Sequence, residues 1–127
     1  MAKNPTSFNQ SLETILQLGA KTVLFVLNDR IPDGRDISWI WDIDIEDYLS
    51  DFEHEIVSGD RVYDMGLRLQ YAEKIQNFNA KVKMFEKLDT AIHESLNLLK
   101  PNETLYILPT YSAMLEVRKF LIGRKIL

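Results

Sequence analysis

Apolar positions along the chain fall into two alternating rhythms. Phe8, Leu12, Ile15 and Leu16 recur at helical spacing behind a Pro-Thr start, and Gly19 stops that helix. The run TVLFVL at 22–27 is continuous, so residues 21–28 predict a buried strand. Residues 44–52 predict a short acidic helix, and Ile56 and Val57 a short strand ending at Gly59. From Val62 onward, Met65, Leu69 and Ala72 mark a helix with Asp60 as its cap, and residues 73–80 predict a loop. Residues 81–85 predict a third strand. Asp89 or Thr90 is expected to cap a helix that carries Ile92, Leu96 and Leu99 on one face. Residues 105–108 predict a fourth strand, and Tyr111, Met114, Val117 and Leu121 form the apolar face of a closing helix.

Strands and helices thus alternate strictly, with connections too long for hairpins. Such alternation predicts an α/β fold in three layers, with a mainly parallel, Rossmann-like sheet and helices on both faces. At least four parallel strands are expected, near 22–28, 55–58, 81–86 and 104–108. In such sheets, sites gather where loops leave the C-terminal ends of strands. The loop after Leu27 is one of these places. Between residues 27 and 44 it holds five carboxylates, two arginines and two tryptophans.

Composition narrows the class. A chain of 127 residues with 46% hydrophobic and 27% charged residues is one globular domain. It has no cysteine, which fits a reducing compartment, and no apolar run long enough to span a bilayer. The start has no apolar signal segment, so a cytoplasmic location is expected. A net charge of −4 argues against a nucleic-acid partner. Charge is uneven: residues 37–60 hold eight Asp or Glu and no Lys or Arg, and the last ten hold four Lys or Arg and no acid. The basic end matches cations placed at a helix C-terminus.

Candidate chemistry is sparse. There is no cysteine nucleophile, no G-x-S-x-G elbow, no Walker A loop and no G-x-G-x-x-G. His54 and His93 read as solvated surface histidines. Asp42-x-Asp44-x-Glu46-Asp47 superficially suggests calcium, but an EF-hand loop needs Gly at its sixth position, where Asp47 stands, and only Glu53 at the twelfth matches. No metal is expected. Pro32, Asp33, Gly34, Arg35 and Asp36 form a turn by composition, and Asp36, three residues ahead of Trp39, is placed to cap a short helix. Two readings stay open for this stretch: turn and cap alone, or a functional loop at a strand end, with Trp39 and Trp41 as core, interface or both.

Three segments carry a resemblance. "LNDRIPDGRDISWIWDIDIE", "VSGDRVYDMGLRLQYA" and "LYILPTYSAMLEVRKFL" resemble, in order, the C-terminal domain of MurT-type proteins. These are the Mur-ligase-like subunits of lipid II isoglutaminyl synthase. The start, from Lys3 to Leu12, is similar to the K-N-P-x-x-x-N-Q segment of that family, so the likeness covers nearly the whole chain. It implies a fold of the Mur ligase C-terminal domain type and an enzyme that amidates the α-carboxylate of D-glutamate in the peptidoglycan stem peptide. In that enzyme the Mur-like subunit uses ATP and magnesium to form an acyl phosphate. A separate class I glutaminase subunit, with a Cys and a His, delivers ammonia, and the Mur-like C-terminal domain lends the acid that orients the His.

The family pattern D-G-x-D-x-S-W-x-W-D retains three candidates for that acid: Asp36, ranked first because it leaves the turn directly after Arg35, then Asp42 and Asp33. Arg35, Trp39 and Trp41 are the expected partner interface. The resemblance also places Lys3 and Asn4 at the nucleotide cleft, and Arg61 where Mur ligases contact a substrate carboxylate. The alternative for Arg61 is a helix-start arginine paired with Asp64. The family's glycine-lysine-threonine loop, its zinc ribbon and the strand ahead of Lys3 are missing from this sequence. The chain, 1–127, is therefore expected to be a single C-terminal domain cut from a larger subunit, without its ATP-binding domain or any cofactor of its own. Two rival readings remain: a non-catalytic α/β binding module, and the substrate-binding domain of a Mur-type amino-acid ligase. Exposure of Trp39 or Trp41 beside Asp36 favours docking, and burial of both favours the plain module.

Overall fold

The computed structural model describes residues 4–30, 33, 36–75 and 82–126, with backbone alone for 123–126. Pro5 opens α1 (Pro5–Gln17), and the Asn4 side chain caps it by accepting the Ser7 amide at 2.8 Å. Then follow β1 (Thr22–Val26), β2 (His54–Ser58), α2 (Val62–Ile75), β3 (Val82–Met84), α3 (Leu88–Asn97), β4 (Leu105–Pro109) and α4 (Tyr111–Ile126). All strand pairs are parallel, in the order β3-β2-β1-β4.

β1 lies at the centre and is buried at every position. Its side chains alternate between two cores because successive residues of a strand face opposite ways. Val23, Phe25 and Leu27 pack with Phe8 and Leu12 of α1 and Met65 and Leu69 of α2. Leu24 and Val26 pack with Ala91 and Ile92 of α3 and Ala113 and Val117 of α4. The chain is therefore a three-layer, Rossmann-like α/β domain. Gly59, just past β2, has φ +103°, and a Cβ there would stand 2.5 Å from the Leu27 carbonyl oxygen. Only glycine lets the β2 exit lie this close to the end of β1, where the Arg61 amide donates to that same carbonyl at 2.9 Å.

Several local expectations are corrected. The acidic helix over 44–52 is instead a set of 3₁₀ turns, Ser38–Asp42, Ile45–Asp47 and Leu49–Asp51. Ile45, Leu49 and Phe52 are buried at the spacing of one helical face, but Ile43, two residues ahead of Ile45 and off that face, is buried as well. α2 continues through 73–75, which were expected as loop; residues 76–80 lie outside the described residues. α3 starts at Leu88 after Lys87, without a side-chain cap. Asp89 sits inside its first turn and accepts the Thr90 amide at 2.7 Å. The buried face of α3 is Ala91, Ile92 and Ser95, and Leu96 is 41% exposed. On α4 the buried line is Ser112, Ala113 and Val117, whereas Tyr111 and Leu121 face outward. Asp60 gives its carboxylate to Arg30 rather than to the start of α2.

Candidate functional site

The loop after β1 meets the N-terminus of α4 at the switch point between β1 and β4, where the strand order reverses. Asn28, 2% exposed, is the hub of this junction. Its amide donates to Thr110 Oγ1 at 3.0 Å, and its Nδ2 donates to Ser112 Oγ at 3.0 Å and Glu116 Oε1 at 3.1 Å. Its Oδ1 accepts the Asp60 amide at 2.9 Å. Asp33 reaches the same helix end from the turn. It accepts the Ser112 amide at 2.7 Å, the Ser112 hydroxyl, and the Arg30 amide at 3.1 Å. A carboxylate here caps α4 from far away in sequence, satisfying an amide in the first turn and the positive end of the helix dipole.

Beside this junction a cleft of about 350 Å³ opens over β1 and β2, walled by Asn28, Gly59, Tyr63, Glu86 and Leu88. Arg30 crosses it, donating to both Asp60 oxygens at 3.0 and 3.2 Å and pairing with Glu116. The hydrogen bond to Asp60, followed by the charges of Glu116 and Asp60, holds the Arg30 guanidinium above its ordinary value despite burial. With Asp60, Glu86 and Glu116 around a single arginine, the cleft carries net negative charge.

The 3₁₀ segment 38–47 is held from below by Arg68, 2% exposed on α2. Arg68 Nε donates to the Ile40 carbonyl at 2.8 Å, and Nη2 donates to the Ile43 carbonyl at 2.9 Å and Glu46 at 3.0 Å. Nη1 lies 2.7 Å from the other Glu46 oxygen. Burial alone would push the Glu46 carboxyl up. The Arg68 hydrogen bond, with the Glu46 amide and the Arg68 charge, outweighs burial and holds it below the usual carboxylate range. α1 ties the same segment from the other side: Asn9 and Asp44 exchange hydrogen bonds of 3.1 and 2.8 Å, and Tyr48 donates to Glu13 at 3.2 Å.

The two tryptophans face opposite ways. Trp39 is half-buried against Phe8, with ring centres 5.8 Å apart. Trp41 is 47% exposed, edge-on to Tyr71 at 5.6 Å, with the Arg68 guanidinium 5.4 Å from its ring centre. Asp36 is exposed, and its Oδ1 accepts the Ser38 amide at 2.9 Å. Hydrogen bonds from Ser38, backbone first and then side chain, hold its carboxyl below the usual range. Asp42 is exposed and makes no side-chain hydrogen bond among the described residues. The turn and cap reading therefore describes Asp33 and Asp36 in part. Asp33 is fully engaged inside the fold, whereas Asp36 is exposed and held by Ser38.

Arg61 donates to Asp64 at 2.8 Å and to Asp29 at 2.9 Å, the pairing held open as its alternative, and both bonds raise its pKa. Asn4 serves as the α1 cap. Lys3 and Arg35 lie outside the described residues. Asn28, Ser112, Glu116 and Arg68 were not singled out from the sequence. Asn28 carried the one visible signal, a polar residue at the end of an apolar run; the others act across folds of the chain that no local pattern records. Among the described residues, no helix is long and apolar enough to cross a membrane, and no cluster of His, Asp and Glu is placed to hold a metal ion.

A parallel sheet between helix pairs, with its polar network at the strand C-termini, places the protein in the Rossmann-like α/β class, whose sites are built from those loops. Within that class, the model of the MurT ligase C-terminal family matches residues 1–114, and the chain belongs to this family. It is 33% identical over 135 aligned residues, 99% of this chain, to the MurT subunit of lipid II isoglutaminyl synthase (glutamine-hydrolyzing) from Streptococcus pneumoniae. It is 45% identical over 75 residues, 58% of this chain, to the subunit of the same name from Staphylococcus aureus. The chain covers 28% of the first relative and 17% of the second.

Proposed function

We propose that this chain is the C-terminal domain of the ATP-dependent ligase subunit of a glutamine-hydrolysing enzyme that amidates the D-glutamate α-carboxylate of the lipid II stem peptide. In this reading it works in the cytoplasm, docks a separate class I glutaminase subunit, and lends a carboxylate to that partner's Cys-His pair. The observation that carries the reading is the 38–47 segment, pinned by Arg68 and α1, which presents the exposed Trp41 within a few residues of the exposed Asp36 and Asp42. An acid that serves another chain's imidazole must be ionised, fixed, and uncovered until the partner arrives. Asp36 meets all three needs. The Ser38 amide fixes one oxygen, the hydrogen bonds from Ser38 keep the group charged, and the side chain stands exposed. Asp42 is equally exposed but unfixed, and Asp33 has no oxygen to spare.

ATP and magnesium belong in this reading to the whole subunit. The described residues of this chain do not suit a triphosphate: the cleft over β1 and β2 is acidic, and its arginine is already paired with Asp60 and Glu116. No step of the ligase reaction is assigned to it. The substrate-carboxylate role for Arg61 is disfavoured by its two ion pairs.

The test is Asp36→Asn in the intact two-subunit enzyme. Assembly should persist, and glutamine hydrolysis should fall about 10³- to 10⁴-fold, because an amide can hold the imidazole in the wrong tautomer and cannot stabilise imidazolium. Free ammonia should largely restore amidation. Asp42→Asn and Asp33→Asn separate catalyst from scaffold. If all three leave glutaminase activity intact in an assembled complex, the lent-acid reading fails.

A further inference from the structure

α4 packs one side against the sheet through Ala113, Val117 and Phe120. Its opposite side carries Tyr111 at 36% exposure, Leu115 at 45%, Leu121 at 42% and Ile122 at 50%. Arg118 and Lys119 stand exposed among them. Steps of four, three and four residues place Tyr111, Leu115, Arg118 and Ile122 along one line of the helix, with Lys119 and Leu121 on its two flanks. This face is therefore both aliphatic and cationic.

Its charge runs against that of the rest of the chain. Residues 118–127 hold four Lys or Arg and no acid, whereas the other 117 hold eleven Lys or Arg against nineteen Asp or Glu. The negative end of the helix dipole favours cations, but that attraction falls off within the last turn. Arg118 and Lys119 lie about two turns ahead of Ile126, so the dipole does not account for them. Arg30, Arg61 and Arg68 are each neutralised by carboxylates, whereas Arg118 and Lys119 make no ion pair among the described residues. Of the acids close by, Glu116 turns to Arg30, and Asp89 borders Lys119 across a groove between α3 and α4 without pairing with it.

The mixture of side chains selects the occupant. A protein partner would have to strip water from two unpaired cations set among aliphatic groups, and lysine is depleted from the centre of protein interfaces. Nucleic acid would satisfy the cations and leave Leu115, Leu121 and Ile122 in water. A bilayer surface suits both: aliphatic side chains enter the acyl boundary, while the long stems of arginine and lysine carry their charges up to the phosphate layer. We infer that the outer face of α4 is a shallow, reversible anchor for an anionic lipid surface, with Leu115, Leu121 and Ile122 inserted and Arg118 and Lys119 at lipid phosphates. The inference goes beyond the proposed function. It agrees with a substrate carried on a lipid and does not depend on it.

The experiment mixes the full ligase subunit with vesicles of phosphatidylcholine containing phosphatidylglycerol, or of phosphatidylcholine alone, and reads its partition by sedimentation. Binding should appear on the anionic vesicles and fall as salt is added. Each cation near such a surface is worth about fivefold in partition, so Arg118→Gln with Lys119→Gln should weaken binding about 25-fold. Leu115→Ser with Ile122→Ser should weaken it at least about tenfold, through the aliphatic surface no longer inserted. Leu18→Ser, at an exposed leucine (63%) off this face, should leave partition unchanged.

Equal partition of the wild-type subunit onto both kinds of vesicle, or onto neither, overturns the inference. So does partition within about twofold of wild type in both double variants. If Leu115→Ser with Ile122→Ser halves the mass of the subunit alone, a second copy covers the face. If it instead lowers the melting temperature of the subunit alone by several degrees, another part of the same polypeptide does. Either result overturns the assignment to lipid. No arm reads glutamine hydrolysis, so failure here is distinct from failure of the lent-acid reading.

Discussion

Replacing Arg68 by Met keeps the aliphatic stem and removes every polar contact that α2 makes through this side chain to the 38–47 segment. The carbonyls of Ile40 and Ile43 lose donors at 2.8 and 2.9 Å, between side chains that are 1% and 2% exposed. A buried acceptor left without a partner costs about 1–3 kcal/mol, so the two carbonyls contribute about 2–6 kcal/mol. The stack on Trp41, half in water, adds about 0.5–1 kcal/mol. Glu46, with 24% of its side chain exposed, recovers hydration and adds little. Methionine returns part of the loss through packing, which leaves an expected destabilisation of about 4 kcal/mol, a large share of the roughly 5–15 kcal/mol available to a domain of this kind. Urea unfolding followed by tryptophan fluorescence measures this directly, since Trp41 reports the segment and the slope reports surface exposed. Arg68→Lys keeps the charge but not the fork, and should recover less than half of the loss. A change below about 1 kcal/mol in Arg68→Met at unchanged slope would refute the reasoning, because the carbonyls would then have found water or other donors.

Three further outcomes are expected. Glu46 titrates below its ordinary value of 4.5 in the fold, so its contribution is present in full above that value and is lost as pH falls through the lowered one. Acid titration of stability should therefore be shallower in Glu46→Gln below pH 4.5 and parallel to wild type above it. Gly59→Ala combines φ +103° with a clash against the Leu27 backbone and should cost about 2–4 kcal/mol in chemical denaturation. Gly19→Ala, at φ +84° with open space around it, should cost only about 1 kcal/mol, and equal losses would sink the steric account of Gly59. The chain alone should hydrolyse no ATP, and calorimetry should detect no micromolar ATP binding; a clear isotherm would contradict the acidic-cleft account.

The sheet and its helices were legible because burial leaves local marks. A central strand covered on both faces is written as a continuous apolar run, as at 22–27, and a helix as a period near 3.6 with its own stops, as at Pro5 and Gly19. The loop after β1 was also legible as a place of chemistry, from composition and from its position at a strand end. What each charged side chain does there was decided by distant partners. Asp33 is a cap for α4 only because the fold brings Ser112, 79 residues away, to its carboxylate. Arg68 looks like an ordinary helix arginine until Ile40, 28 residues earlier, is laid across it. The 3₁₀ turns that replaced the expected acidic helix follow from where Ile43, Ile45, Leu49 and Phe52 must go, which depends on the core and not on propensity. α2 is the sharpest case. Tyr63, Leu67, Tyr71 and Ile75 repeat as regularly as Val62, Met65, Leu69 and Ala72, and periodicity alone cannot rank two apolar faces of one helix. Only packing against β1 and β2 chose the second set for the core and left the first set facing solvent.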